Sequence, residues 1–260
     1  MLPLSVVIIA KNEANALKSS LPPVKAWAKE IIVVINDCTD DTKEVAESFG
    51  ATVIEHAWEG YGKQRNFAQS CAHEAWILKL DADEVLSEEL KHSIEEFFEH
   101  KELVESTTVC KCFRCNRWLG HWFTHFKDDL PILLKKDSVH WEKSVHEHLS
   151  FKGNVHYLRK GILYHNTETS VLHTIQKNIN YAQLSAQDLA RKYSRFTLLL
   201  KAIMNPGFCF FKCFIFRGYF CEGFPGFYYA TVSAFYTFFK YVFAFEKKFY
   251  QNNELIWILN

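Results

Sequence analysis

The sequence lacks the two commonest nucleotide-binding loops. Neither G-x-x-x-x-G-K-[S/T] nor G-x-G-x-x-G occurs among its 260 residues, which include 10 Gly and 6 Pro. Their absence disfavours a P-loop NTPase and an ordinary NAD-binding domain. Net charge is also lacking, because 30 Lys/Arg balance 30 Asp/Glu, so the composition gives no indication of a nucleic-acid partner. The length is sufficient for one large domain, or for one domain with an appendage.

A secretory signal is missing as well. Met1–Leu4 carries no charged stretch, and the apolar run that follows stops at Ala10, so no signal peptide is expected. The eight Cys are scattered along the chain. This distribution favours reduced thiols in a cytoplasmic protein.

One group of cysteines leaves a second interpretation open. Cys110, Cys112 and Cys115 could form a zinc knuckle with His121 or His125. They lack the two paired C-x₂-C spacings of established zinc sites. Cys110 and Cys112 also alternate as residues of a strand do, which favours a structural role for them.

Basic and aromatic residues are concentrated near the C-terminus. Residues 191–250 hold nine Lys/Arg, two acidic residues and 15 of the 23 Phe, a composition that suits an anionic membrane surface. Residues 223–239 are 17 consecutive uncharged residues, at the lower limit for a spanning helix. Pro225 and the flanking Arg217 and Lys240 favour helices that lie among the headgroups instead. A soluble helical subdomain or a dimer interface is the alternative.

The first eighty residues predict an α/β fold. Four short apolar runs, at Leu4–Ala10, Ile31–Ile35, Thr52–Glu55 and Ala75–Leu80, alternate with segments of helical spacing. This alternation is typical of a doubly wound, mostly parallel sheet flanked by helices. Polar residues follow the strands, at the edge where such sheets bind ligands.

The fourth of these runs ends in three carboxylates. Asp81 and Asp83 lie at positions i and i+2 beyond its end, where their oxygens can converge on Mg²⁺ or Mn²⁺. A solvated turn, or the N-cap of a helix that begins near Ser87, is the alternative interpretation.

The pattern changes after a helix predicted at about 87–100. Three strands are expected near 107–114, 132–135 and 155–158, separated by aromatic loops, and a polar amphipathic helix is expected over 168–195. We therefore divide the chain into a catalytic domain, residues 1–166, and a helical, membrane-associating region, residues 167–260.

Several of these motifs resemble, in order and spacing, the family 2 glycosyltransferases of GT-A fold. The later ones resemble the subgroup of lipopolysaccharide-core β-glucosyltransferases. The likeness covers nearly the whole chain. Its motifs are Lys11-Asn12-Glu13, Thr39-Asp40-Asp41-Thr42, Gly60 to Asn66, Leu80 to Glu84, Val145-His146-Glu147, Arg217-Gly218, Gly223 to Gly226 and Ser233 to Tyr236.

The resemblance implies an inverting transfer from a nucleotide sugar, with UDP-glucose expected, to a lipid-linked saccharide at the cytoplasmic face of the inner membrane. By this likeness Glu13 lies near the nucleoside, and Lys63, Arg65 and Asn66 lie near the donor. Asp83 would hold the metal that bridges the diphosphate, and Asp81 would face the ribose or the metal. The family commonly has two acidic residues after the second strand, where this sequence has Ile35-Asn36, so Asn36 or Asp37 is expected to contact the base.

An inverting transfer also needs a carboxylate that takes the proton of the acceptor hydroxyl. Asp128 is our candidate for this base, with Asp129 next, although the pair could be a solvated turn before Pro131. His146 and His165 are candidates for a third metal ligand or a donor to the diphosphate, and Glu147 could orient His146.

Two other functions remain open. A polyprenyl-phosphate glycosyltransferase of the same fold needs no base, because its phosphate acceptor is already deprotonated. A non-catalytic nucleotide-sugar-binding scaffold would keep the fold without the activity.

Overall fold

The computed structural model describes residues 1–118, 120–125, 128–142, 148–166 and 170–257. For His173 and residues 251–257 it describes the backbone only. The chain packs as two compact units. Unit 1 comprises Met1–Asn116 and Lys127–Asn166, and unit 2 comprises Arg117–Phe126 and Thr167–Asn260. The division made from the sequence places Arg117–Phe126 in the first domain, whereas its packing places it in unit 2.

The described chain contains eleven strands. They are β1 (Leu2–Ala10), β2 (Ala28–Ile35), β3 (Thr52–Glu55), β4 (Trp76–Asp81), β5 (Glu84–Leu86), β6 (Thr107–Trp118), β7 (His121–Trp122), β8 (Asp128–Lys135), β9 (Val139–Glu142), β10 (His148–Phe151) and β11 (Asn154–His165).

The main sheet has the order β3-β2-β1-β4-β8-β6-β11-β5. Six of these eight strands run parallel, which confirms the predicted α/β fold with a mostly parallel sheet. β8 and β5 run antiparallel to their neighbours, so the sheet is mixed. For β8 the reason is the length of the connection: the short link from β6 to β8 cannot make the crossover that a parallel neighbour requires.

Five helices belong to unit 1: α1 (Ala14–Ser20), α2 (Thr42–Ser48), α3 (Tyr61–Ser70), α4 (Glu88–Glu99) and α5 (Lys101–Ser106). The Ser87 hydroxyl accepts the N–H of Leu90 and caps α4, as the N-cap interpretation predicts. The predicted helix over 87–100 ends at Glu99, and α5 follows it.

The register of the sheet aligns the carboxyl ends of β1, β2 and β4, where the candidate binding residues follow the strands. Central residues of β1, such as Val6 and Ile8, are fully buried, because helices cover both faces of the sheet. Burial of each such side chain contributes about 1.5–3 kcal/mol to folding. Ile9 pairs with Asp81 and Ala10 pairs with Ile35, so β1, β2 and β4 end at the same level.

Unit 2 contains the remaining helices, α6 (Val171–Lys192), α7 (Arg195–Phe211) and α8 (Gly223–Trp257). The helix predicted over 168–195 is α6, and it ends three residues early because Ser194 caps the next helix. Residues 223–239 begin α8, which packs against both α6 and α7.

A buried carboxylate holds the β7 segment to the start of α8. The backbone N–H of His125 donates to Glu222 Oε1 at 2.7 Å, and His121 Nε2 lies 2.8 Å from Glu222 Oε2. Burial by itself raises the pKa of the Glu222 carboxyl, but the hydrogen bonds from His121 and His125 outweigh it and lower the pKa. Glu222 is therefore ionised at neutral pH.

By length and composition, one helical stretch in the described part of the chain could cross a membrane. It is Arg195–Phe216. Its most apolar 18 residues have a mean hydropathy of 1.5, and only 17% of them are buried. The uncharged segment that the sequence placed at the lower limit for a spanning helix, residues 223–239, lies outside this stretch. Packing of α8 between α6 and α7 buries residues such as Ala230, which leaves α7 as the more exposed apolar helix.

The cysteines of the zinc alternative are core residues. Cys110, Cys112 and Cys115 are buried in β6, and all eight cysteines are free thiols. Burial raises the pKa of the Cys110 and Cys112 thiols, which opposes formation of the thiolate that zinc binds. The described residues also include no cluster of three or more metal-binding side chains. The structure favours the strand interpretation.

Candidate active site

Two loops are tied together at the ends of β1 and β2. The Asn12 side-chain oxygen accepts the N–H of Thr39 at 2.7 Å, and the N–H of Glu13 donates to the Thr42 hydroxyl at 2.8 Å. Asn12 adopts a left-handed backbone conformation (φ 55°), which asparagine tolerates better than most residues. These contacts fix the position of Glu13, one of the residues assigned to the nucleoside.

Asn36 and Asp37, the other two nucleoside candidates, follow β2 at the same edge. Asn36 is buried, whereas the Asp37 side chain is 84% exposed and lies 3.8 Å from Lys11 Nζ. Of the two, Asp37 is the more accessible to a ligand.

Asp81, at the end of β4, lies between two cations. Its carboxylate accepts a hydrogen bond from Arg65 Nη2 at 2.9 Å and from Lys79 Nζ at 2.8 Å. The Arg65 guanidinium also stacks on Trp141, 5.1 Å from the ring centre. Burial alone raises the pKa of Asp81, but the charges of Lys79 and Arg65 hold it well below its usual range. The carboxylate therefore stays ionised and fixed in position.

Glu84 is a fully buried carboxylate beside Asp81. Its Oε2 accepts the backbone N–H of Asp81 at 2.9 Å and lies 3.4 Å from Lys79 Nζ. Its Oε1 lies 3.4 Å from Arg114 Nη1 on β6. Glu84 thus connects the end of β4 to β6.

We expect Glu84→Gln to lower the free energy of unfolding by about 3 kcal/mol, because it removes the fully buried negative charge that Lys79 and Arg114 share. Urea unfolding measures the effect. Glu99→Gln, at an exposed position on α4, is the matched control and should change stability by less than about 0.5 kcal/mol. Equal losses in the two variants would contradict the bridging role.

Asp128, the candidate base, begins β8 and is held by two side chains of β6. Its Oδ2 lies 3.5 Å from Arg114 Nη2 and 3.3 Å from Asn116 Nδ2. Asn116 Oδ1 is in turn 2.8 Å from His165 Nδ1, and His165 Nε2 is 3.2 Å from Asp83 Oδ2. A continuous series of contacts therefore links Asp128 to Asp83, the metal candidate.

The orientation of His165 bears on metal binding. Asn116 Nδ2 faces Asp128, so Asn116 Oδ1 accepts a hydrogen bond from the N–H at His165 Nδ1. In the neutral ring with its proton on Nδ1, the Nε2 lone pair points towards the Asp83 carboxylate. An imidazole nitrogen beside a carboxylate oxygen is a donor set that fits a divalent cation.

The remaining sequence candidates lie apart from this network. The Asn66 amide is bound to the backbone of Trp141, whose N–H it accepts at 2.9 Å and whose carbonyl it donates to at 2.8 Å. Lys63 is 67% exposed and pairs with Glu59. Asp129 is exposed, and His146, with Glu147, falls outside the described residues.

Comparison with known proteins decides the family. Residues 5–159 match the sequence model of Glycosyl transferase family 2, which is more than half of the chain. The chain belongs to this family. The glycosyltransferase is also 34% identical, over 91% of its length and 85% of the relative's, to an uncharacterized glycosyltransferase of Rickettsia prowazekii.

More distant relatives of the glycosyltransferase carry more specific names. It is 26% identical to the lipopolysaccharide core biosynthesis glycosyltransferase LpsC of Rhizobium meliloti, over 98% of this chain and 94% of that protein. Among solved structures it is similar to glucosyl-3-phosphoglycerate synthase from Mycobacterium tuberculosis, in complex with Mn²⁺ and UDP. That match has 23% identity, a TM-score of 0.35 and 44% coverage of each chain.

Sequence reasoning missed four polar residues of the candidate site in this glycosyltransferase. Lys79 had a visible signal, since it is a charge inside an apolar strand. Glu84 was visible only as the last member of an acidic run. No local sequence pattern marked Arg114 or Asn116 as site residues, because their partners in the site lie 12 or more residues away along the chain.

Proposed function

We propose that the protein is a metal-dependent, inverting hexosyltransferase. It would move glucose from UDP-glucose to a hydroxyl of a lipid-linked saccharide such as the lipopolysaccharide inner core. One observation carries this proposal: Asp128 and Asp83 belong to one series of contacts through Asn116 and His165. A base and a metal ligand that are joined by one series of contacts suit a reaction that needs both at once.

The chemistry is a single displacement at the anomeric carbon. The acceptor hydroxyl oxygen attacks C1 of the donor sugar from the face opposite the diphosphate, and Asp128 takes the hydroxyl proton. As the new C1–O bond forms, the bond from C1 to the diphosphate oxygen breaks, and UDP leaves with the electron pair. The configuration at C1 inverts. Arg114 and Asn116 keep the Asp128 carboxylate oriented for this proton transfer.

Mg²⁺ or Mn²⁺ would be held by Asp83 and His165. Two protein donors are few, but Mg²⁺ is commonly bound through one or two carboxylates together with substrate phosphates. The ion would supply positive charge to the departing diphosphate. The sequence assigned Asp81 to the metal or the ribose; because Arg65 and Lys79 each donate to one of its oxygens, we propose a different part for it. Its part is to hold these two cations in position.

The nucleoside would lie at the ends of β1 and β2, beside Glu13, Asn36 and Asp37. Support comes from the hydrogen bonds that tie the two loops together at this edge of the sheet. The carboxyl ends of parallel strands are where α/β sheets bind ligands.

A donor panel tests the proposal. Purified protein is incubated with UDP-glucose, UDP-galactose, GDP-mannose and a lipopolysaccharide inner-core acceptor, with Mn²⁺ or with EDTA. We expect transfer from UDP-glucose that stops when EDTA is added, and a product with inverted anomeric configuration by NMR. Transfer at an undiminished rate in EDTA, or retention of configuration, would refute it.

We also propose that unit 2 lies on the cytoplasmic face of the inner membrane, without crossing it. Exposed apolar side chains recur along α7 and beyond it at helical spacing: Phe196, Leu199, Leu200, Ile203, Met204, Phe208, Phe211 and Ile215. The opposite face of α7, at Leu198 and Ala202, packs in the core of unit 2. Basic residues such as Lys201 and Lys212 accompany this stripe, as expected at a surface of anionic lipid.

Charges introduced into this stripe should prevent membrane binding. We expect the double variant Ile203→Asp/Phe208→Asp to lose most of its co-sedimentation with phosphatidylglycerol vesicles, because each buried carboxylate opposes insertion. Leu172→Asp/Leu184→Asp, at two exposed apolar positions of α6, is the matched control and should bind normally. The wild type should be released by high salt or carbonate. Retention after both washes would favour a spanning helix.

A further inference from the structure

A cavity of about 350 Å³ adjoins Asp81 in unit 1. It lies between the sheet and the hairpin of β9 and β10, and its size is that of a small-ligand site. Aromatic side chains, Trp141 and Phe151, form part of its wall. Polar and charged groups of β4 and β6 form another part. The cavity is therefore shaped for a ligand with both apolar and polar surface, such as a sugar.

The cavity is lined by more positive than negative charge. Arg65, Lys79, Arg114 and Lys111 line it, whereas Asp81 is the one acidic residue in its described lining. Three of the four cations have buried or half-buried carboxylate partners, as described above. The ammonium group of the fourth, Lys111, makes no ion pair or hydrogen bond with another described residue, although its backbone is part of the sheet.

Lys111 is also placed where a ligand could reach it. It is half-buried in the middle of β6, opposite Pro131 of β8, which offers no backbone N–H and no charge. His148, at the start of β10, lines the same cavity. Because the one carboxylate of the described lining, Asp81, is already paired with Arg65 and Lys79, the ammonium group of Lys111 is left to attract an anion in this partly enclosed space.

We propose that this cavity binds an acidic sugar of the acceptor, and that Lys111 binds its phosphate or carboxylate group. The inference rests on the proposed function, since it names the chemical class of the acceptor. The aromatic wall would contact the sugar ring, and Lys111 would form a charge-assisted hydrogen bond to the anion. Lys111 is then a specificity residue, which selects acidic over neutral acceptors without taking part in the transfer step.

Ligand-observed NMR titrations test this with three probes: glucose 6-phosphate, glucuronate and neutral glucose. We expect wild type to bind at least one acidic probe more tightly than glucose, and Lys111→Gln to weaken that binding by about tenfold or more. Lys111→Arg should keep much of the affinity, because it keeps the charge. Lys152→Gln, an exposed lysine beyond β10, is the matched control and should bind as wild type does.

Titration with UDP and Mn²⁺ separates the acceptor from the donor. Lys111→Gln should leave UDP affinity unchanged. An equal loss of UDP affinity would mean that Lys111 binds the diphosphate, and it would overturn the proposal, as would equal binding of acidic and neutral probes by wild type. None of these titrations needs turnover, so they decide the acidic-sugar site even if the donor panel detects no transfer.

Discussion

Replacing Asp128 with asparagine is expected to lower kcat for glycosyl transfer by about 10³-fold, within the range of general-base catalysis. Asparagine keeps the size of the side chain and can still contact Arg114 and Asn116, but it cannot accept the proton of the acceptor hydroxyl. The KM for the donor should change little, since Asp128 acts only as the new bond forms. Steady-state kinetics with the best donor of the panel measures both constants.

Asp129→Asn is the natural control for this experiment. The two carboxylates are adjacent in sequence, but Asp129 is exposed whereas Asp128 is held by Arg114 and Asn116. We expect Asp129→Asn to retain nearly full activity. The reverse result would assign the base to Asp129. Full activity in Asp128→Asn, with transfer to a lipid phosphate, would instead indicate the polyprenyl-phosphate function.

The second large effect is expected for Asp83→Ala, which removes the carboxylate beside His165 Nε2. We expect kcat/KM to fall by about 10²–10³-fold, comparable to the loss of one group that stabilises developing negative charge. Calorimetric titration with Mn²⁺ and UDP gives a readout that does not depend on turnover. The variant should lose most of the enhancement of UDP binding that Mn²⁺ produces in the wild type.

Asp137→Ala, which removes an exposed carboxylate near the end of β8, controls for a general effect of charge. It should bind UDP and Mn²⁺ as the wild type does. If Asp83→Ala also keeps Mn²⁺-dependent UDP binding, the metal is held elsewhere. His165→Ala then tests the second donor: it should weaken Mn²⁺ binding if the imidazole is a ligand.

Local patterns were enough to predict the fold. The strand at Thr52–Glu55 was predicted to the residue, because short β-branched runs between turn residues have few other stable conformations. The buried strands β1, β2 and β4 were found from their apolar runs. The antiparallel direction of β8 was not predicted, because direction depends on how a connection closes in space.

For the candidate site, too, local sequence patterns predict one part and only the tertiary structure shows the other. The sequence by itself proposed Asp81 and Asp83, because carboxylates after an apolar run stand out along the chain, and Asp128, because it resembles the Asp that the family has ahead of the next strand. Only the tertiary structure showed that Asp81 forms ion pairs with Arg65 and Lys79. It also showed that Asp83 and Asp128 are joined through Asn116 and His165. Charge and hydrogen-bonding partners lie in other strands, and no local pattern records which strands become neighbours. The sequence determined which groups can react, and the packing of the sheet decided which of them meet.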